Sequence, residues 1–341
     1  GENSSSVGKG MGGGKGLDAV NVETKNAYVD FTLNPVRIQL GGQGVILHQG
    51  WWLDDDFAAA RFDMSFDAVS LLAYYAWHTN TDVTSVNDDI WNTAVSVGYT
   101  AEMFNLRGSL GWQRNAQPAG IDKDNLYILM AEAGFNFDWW SAFVLGGVNF
   151  GSKEYDTSGM NDQDYKGMMV DAGVDFNFDP FTLGVEAFFV SGDDDANDGD
   201  IDSFTYFSGR SHYWAEILGL GTLDREGSTV GDDGPGQDGN VSATESAGLY
   251  AIKVGGTWKA LEDTKLTLDI WYVGSAEDRT DINGDTDDKI GTEVDFYLDQ
   301  KLMDNLKFRF IGAYLFAEDG YGLQGADDDA YQVGGRVQMD W

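Results

Sequence analysis

Apolar and polar residues alternate along most of this chain. In Leu306-Lys307-Phe308-Arg309-Phe310-Ile311-Gly312-Ala313-Tyr314, every second residue is apolar or aromatic, and those between are mostly charged or small. A period of two marks a strand with two different faces. The pattern recurs in Val294-Asp295-Phe296-Tyr297-Leu298-Asp299, in Val170-Asp171-Ala172-Gly173-Val174-Asp175, and in Tyr331-Gln332-Val333-Gly334-Gly335-Arg336-Val337-Gln338. About fifteen such segments are readable, near 26–34, 36–46, 57–66, 68–79, 89–102, 104–114, 124–137, 139–152, 165–178, 181–191, 247–260, 264–275, 289–301, 305–317 and 329–341.

The connections alternate as well. After each odd-numbered segment the turn is tight, as at Asn34-Pro35, Asp67, Asp179-Pro180 and Met303-Asp304; after each even one it is longer and rich in Asp, Asn, Gly, Ser and Thr. Pro35, Pro118, Pro180 and Pro235 all fall in turns or loops, as a sheet requires. Short turns at one rim and long polar loops at the other predict an all-β transmembrane antiparallel barrel, one domain over 1–341. Val294, Phe296, Phe308, Phe310, Val333 and Val337 would face hydrocarbon, and the alternate set a polar lumen. A soluble sandwich also alternates. It would not sustain about fifteen uniform ten-residue hairpin strands with loops growing at one end only.

The ending Gln338-Met339-Asp340-Trp341, with its C-terminal aromatic Trp341, resembles the last strand of Gram-negative outer-membrane porins. Ala27-Tyr28-Val29-Asp30-Phe31 followed by Val36-Arg37-Ile38-Gln39-Leu40-Gly41 is similar to their early hairpin. The resemblance covers nearly the whole chain and implies the sixteen-stranded general porin type, with Trp341 as an assembly signal. A weaker resemblance, to alginate-export barrels, rests on Phe204-Thr205-Tyr206-Phe207 with His212-Tyr213-Trp214. On this reading the short turns are periplasmic, the first visible segment descends from outside, and 1–25 is an extracellular loop-like stretch. Bacterial single-chain barrels have even strand counts, so a further strand is expected upstream of Gly1.

Composition narrows the function. The net charge is −36, which speaks against nucleic acid as a partner. Aromatics make up 13% of the chain, too many for a disordered one. There is no cysteine, and the longest apolar run, 69–77, is far short of the roughly 20 residues of a spanning helix. His48, His78 and His212 are scattered with no recognisable Ser or Asp partner motif, so no enzyme is expected.

A pore needs a polar wall, a constriction and a field. The inward basic candidates are Arg37, Arg61, Arg107, Lys253, Lys307, Arg309 and Arg336. The inward acidic candidates are Glu132, Asp171, Asp175, Glu186, Asp269, Glu293, Asp295 and Asp299. The signs segregate around the circumference, which would set a transverse field, unless neighbours such as Arg309 and Asp295 pair locally. The constriction is expected from the long loop 192–246, presenting Arg210, His212 and Trp214 to the mouth or covering a neighbouring subunit.

Asp281, Asn283, Asp285 and Asp287 place oxygen ligands at every second position, a spacing suited to Ca²⁺ or Mg²⁺, although no cofactor is required. Bland solvated acid is the competing account. Trp77, Trp91, Trp112, Trp139, Trp140, Trp258 and Trp341 suit interfacial girdles, and the small outward residues Gly108, Ala131, Ala133, Ala142 and Gly146 suit a homo-oligomer, a trimer being favoured. The expected function is passive diffusion of small hydrophilic solutes and ions through the outer membrane of a Gram-negative bacterium, in contact with lipid and lipopolysaccharide. A channel selective for an anion, sugar or polyuronate, or a structural or adhesive barrel with a plugged lumen, would use the same fold. The acidic exterior leans the expectation toward cations.

Overall fold

A computed structural model describes residues 26–78, 90–115, 121–156, 161–195, 198–207, 214–219, 247–280, 286–319 and 329–340. Among the described residues seventeen strands form one sheet. They are β1 (Ala27–Leu33), β2 (Val36–Leu47), β3 (Leu53–Phe66), β4 (Val69–His78), β5 (Ile90–Thr100), β6 (Phe104–Asn115), β7 (Ile121–Asn136), β8 (Trp140–Tyr155), β9 (Gln163–Tyr165), β10 (Met168–Phe178), β11 (Phe181–Val190), β12 (Asp200–Ile201), β13 (Leu249–Leu261), β14 (Thr264–Thr280), β15 (Thr286–Met303), β16 (Leu306–Ala317) and β17 (Ala330–Met339). The period-two segments thus became the fifteen long strands. The short β9 and β12, which pair in parallel with each other, were not anticipated because three and two residues show no period.

Each long strand pairs antiparallel with the next, β8 passing to β10 and β11 to β13. Pairing passes from strand to strand from β1 to β17, with register shifts in the β7–β8, β13–β14, β14–β15 and β15–β16 pairs, and among the described residues no pairing joins β17 back to β1. The tight turns all lie at one rim. At one of them Asp67 adopts φ 47°, a left-handed conformation that aspartate tolerates better than most side chains.

Alternation now has a structural meaning. On β5 and β6, Val95, Val97, Leu106 and Leu110 point outward and are exposed, while Asn92, Ser96 and Ser109 point inward and are buried. Two aromatic bands ring the outside. Toward the long-loop rim Tyr75, Trp91, Trp112, Tyr127 and Phe150 follow one another across neighbouring strands, with Trp91 and Trp112 edge to face at 4.6 Å. Toward the short-turn rim Phe137 stacks on Trp140 at 4.5 Å, Trp139 on Phe176 at 5.9 Å and Phe181 on Trp258 at 6.1 Å. Amphipathic rings at both ends of an apolar wall are the arrangement that a bilayer's two interfaces favour. Gly108, Ala131 and Gly146 are direct cross-strand neighbours on this outer wall.

Charge on the outer face should therefore be costly and charge on the inner face tolerated. Val254→Arg, on an outward position of β13, is expected to lower stability by about 2–4 kcal/mol, whereas the inward Arg336→Gln shifts it by less than about 0.5 kcal/mol. Urea unfolding of the protein in lipid vesicles measures both.

Candidate functional site

The lumen is built from the inward positions. β1 is 7 residues long, and its first residue, Ala27, lies opposite Gly42 of β2. Above Gly42, β2 has β3 as its only partner among the described residues. The tip of this hairpin leans into the barrel. There, His48, Gln49 and Gly50 adopt φ of 51°, 58° and 85° and reverse the chain in a single 3-10 turn.

The tip reaches the opposite wall. Trp51 and Trp52 are 0% exposed. The Trp51 indole N–H donates to Asp171 Oδ2 at 2.8 Å, and the ring meets Phe188 edge-on at 5.1 Å. Trp52 lies against Gly111, where any Cβ would collide with it, and touches Phe207 edge to face. Burying an indole removes ~200 Å² from water, a gross gain on the order of 5 kcal/mol per ring.

A second insert comes from the long connection after β11. Asn149 grips its backbone twice: Nδ2 donates to the Thr205 carbonyl at 3.0 Å, and the Thr205 N–H donates to Oδ1 at 2.6 Å. Further on, the N–H groups of Ile217 and Leu218 donate to the two oxygens of Glu293 at 2.6 and 2.9 Å. Phe204, Phe207, Ala215 and Leu218 are buried in one cluster with Trp51, Trp52, Trp271 and the wall residues Ile128, Met130 and Leu145. The long-loop half of the lumen is therefore packed with apolar side chains, and the polar lumen lies in the short-turn half. At the outer mouth, burial holds the Asp193 carboxyl above the ordinary carboxylate range, opposed by the backbone N–H of Asp195.

All fifteen predicted wall residues lie on the inward face, but the signs are less separated than the sequence suggests. Arg37 pairs with Asp30, Arg61 with Asp63 at 2.8 Å, Arg107 with Glu132 at 3.4 Å, Lys253 with Glu186 at 2.5 Å and Arg309 with Asp299 at 2.6 Å. Arg309 thus chooses Asp299 and not Asp295, because the β15–β16 register sets those two opposite each other. Half-exposed pairs of this kind add little to stability, yet they shorten the reach of the field. Some bias survives: Asp171, Asp175, Glu186 and Asp269 share their arc with Lys253 alone among the named bases.

Trp214 sits inside, edge to face with Phe188 and Trp271 at 5.2 Å each. Arg210, His212, Asp281, Asn283, Asp285 and Trp341 lie outside the described residues. Asp287 belongs to β15, where its carboxylate accepts the Lys289 N–H at 2.6 Å.

Sequence reading missed the part played by His48. Its Nε2 lies 2.7 Å from Ser109 Oγ and its Nδ1 3.0 Å from Glu132 Oε2. These are the residue types of a nucleophile–base–acid relay. Ser109 is 3% exposed, however, its hydroxyl also contacts Ser96, and it does not border the cavity below. The trio pins the hairpin tip to β6 and β7. Ser109 and Glu132 are 61 and 84 residues away in sequence, so no local motif could reveal them.

Under the tip, toward the short-turn rim, lies a cavity of about 400 Å³. Ile46, His48 and Gln49 roof it, and Asn105, Arg107, Glu132, Ser141, Phe143 and Asp175 are among its walls.

The architecture is similar to solved structures from Pseudomonas aeruginosa. OccK11 (OpdR) aligns with a TM-score of 0.54 at 10% identity, over 93% of this chain and 79% of that one. OpdO gives 0.55 at 11% identity, over 91% and 77%. The outer membrane protein opdK gives 0.54 at 10% identity, over 92% and 78%. At this identity the likeness is one of fold, that of a transmembrane antiparallel β-barrel. No family profile matches the sequence, and a sequence search among curated proteins finds no match.

Glu293 accepts two backbone N–H groups of the second insert. Glu293→Ala leaves two buried N–H groups without an acceptor and is expected to cost about 2–5 kcal/mol. Limited proteolysis of the membrane-embedded protein should show faster cleavage within 214–219, and Glu293→Gln, which keeps one acceptor oxygen, should fall between.

Proposed function

We propose that this chain is a channel of the outer membrane of a Gram-negative bacterium, passing small hydrophilic solutes by diffusion through a narrowed lumen. The observation that carries the reading is the contrast between two faces of the same strands. One is an apolar wall with two aromatic bands; the other is lined by inward arginines, lysines and carboxylates. Such a lining replaces part of a solute's hydration, and needs no catalytic group.

The two inserts favour a selective, low-conductance pore over a wide sieve. Solutes must pass the β2–β3 tip, held by Asp171, Ser109 and Glu132, and the segment held by Asn149 and Glu293. The outer row Gly108, Ala131 and Gly146 offers a flat wall on which copies of the chain would associate, a trimer being the favoured assembly. The same dry cluster would also serve a plugged structural barrel, and conductance separates the two.

Single-channel recording in a planar bilayer provides the test. Small, stable open steps are expected. Replacing residues 48–52 by a short glycine-rich turn should raise the step size roughly severalfold, because the lumen area that carries ions widens. A protein with no steps in either form would sink the channel reading.

A further inference from the structure

The cavity under the hairpin tip holds two charged groups with spare capacity, on opposite sides. Arg107 makes one loose contact: its Nε is 3.4 Å from Glu132 Oε1, beyond good hydrogen-bond length, and the other Glu132 oxygen is taken by His48. The rest of its guanidinium fork has no partner among the described residues. Asp175 has no hydrogen bond or ion pair among the described residues. Its side chain lies flat over Gly184 of the neighbouring strand, in space that any Cβ there would occupy. Between them the ring of Phe143 covers Gly173.

The surroundings give each end its sign. Behind Asp175, the carboxylates of Glu186 and Asp269 have one cation in range, Lys253, which is already bound to Glu186. That end of the cavity is short of positive charge. The Phe143 face adds a second attraction for an ammonium group. At the other end the Arg107 fork matches the planar geometry of a carboxylate.

We infer that this cavity is a binding subsite for a short zwitterionic peptide, its carboxylate on Arg107 and its ammonium group at Asp175. The inference rests on the channel reading and names the class of solute that the channel would favour. Length supports a peptide over a single amino acid. Through Glu132 and Leu145 the residue level with Arg107 on β10 is Asp171, so Asp175 lies three strand spacings across and four residues further along, roughly 19 Å from Cα to Cα. The two side chains and their hydrogen bonds to the solute cover about two-thirds of that distance. Two extended residues span about 7 Å, and the cavity is within the size range of small-molecule sites.

The probe is dialanine, set against N-acetyl-dialanine amide, which has the same body and neither charge. Each is added to wild-type protein in a planar bilayer, and the concentration that halves the ion current is read. Dialanine is expected to act at least about tenfold more strongly than the capped form. Arg107→Gln and Asp175→Asn should each weaken it about tenfold or more, the usual worth of a hydrogen bond to a charged group. Equal action by the capped peptide, or unweakened block in both variants, overturns the subsite. Absence of any ion steps would instead overturn the channel reading. Calorimetric titration of dialanine into the detergent-solubilised protein then still decides the subsite, since retained binding that needs both charges upholds it and no heat of binding refutes it.

Discussion

Backbone amide and carbonyl groups have no water to bond in hydrocarbon, and each one left unpaired costs several kcal/mol. That constraint selects the long antiparallel strands seen here. It requires wall strands to pair along their length, and antiparallel pairing runs from strand to strand from β1 to β17. It also fixes the side-chain geometry: once a strand is held between two neighbours, successive residues must point to lipid and lumen in turn. The apolar exposure of Val254 and the inward charge of Lys253 are consequences of one hydrogen-bond ladder.

A barrel of this many strands encloses more space than its wall side chains fill. Here the surplus is taken up by two inserts in the long-loop half. They are held by the same means as a soluble core, with buried indoles and phenyl rings making the contact and a few polar groups fixing position. Glu293 receives two N–H groups and Asn149 makes a reciprocal pair, so the inserted backbone is satisfied where it leaves water. His48 plays the corresponding part at the hairpin tip. The polar half of the lumen, with Arg107, Asp175 and Lys253, is left for solute.

The wall was legible in the sequence because alternation of period two is a local property. The parity of Arg309, Asp295 and Asp299 follows from their own strands, and all three do point inward. Which of the two acids meets Arg309 was not legible. Asp295 and Asp299 share parity, and the choice depends on the turn at Asp304-Asn305 and the bulge between Lys301 and Met303. The hairpin insertion was hidden for a different reason. Nothing local to Trp51-Trp52 tells that the upper half of β2, which above Gly42 pairs among the described residues with β3 alone, leans inward. The partners of His48 come from distant strands and those of Glu293 from the second insert, so their roles emerge only from the folded arrangement.

The central claim is that the β2–β3 tip lies across the lumen against β6–β10 and does not project beyond the rim. The chain has no cysteine, so a Gln49→Cys, Asn136→Cys double variant gives two unique thiols, both bordering the cavity. A short bifunctional thiol reagent should join them in the folded protein in lipid vesicles and fail to join them after unfolding in urea. Two thiols that each label singly in the folded protein, yet never cross-link, would contradict the account.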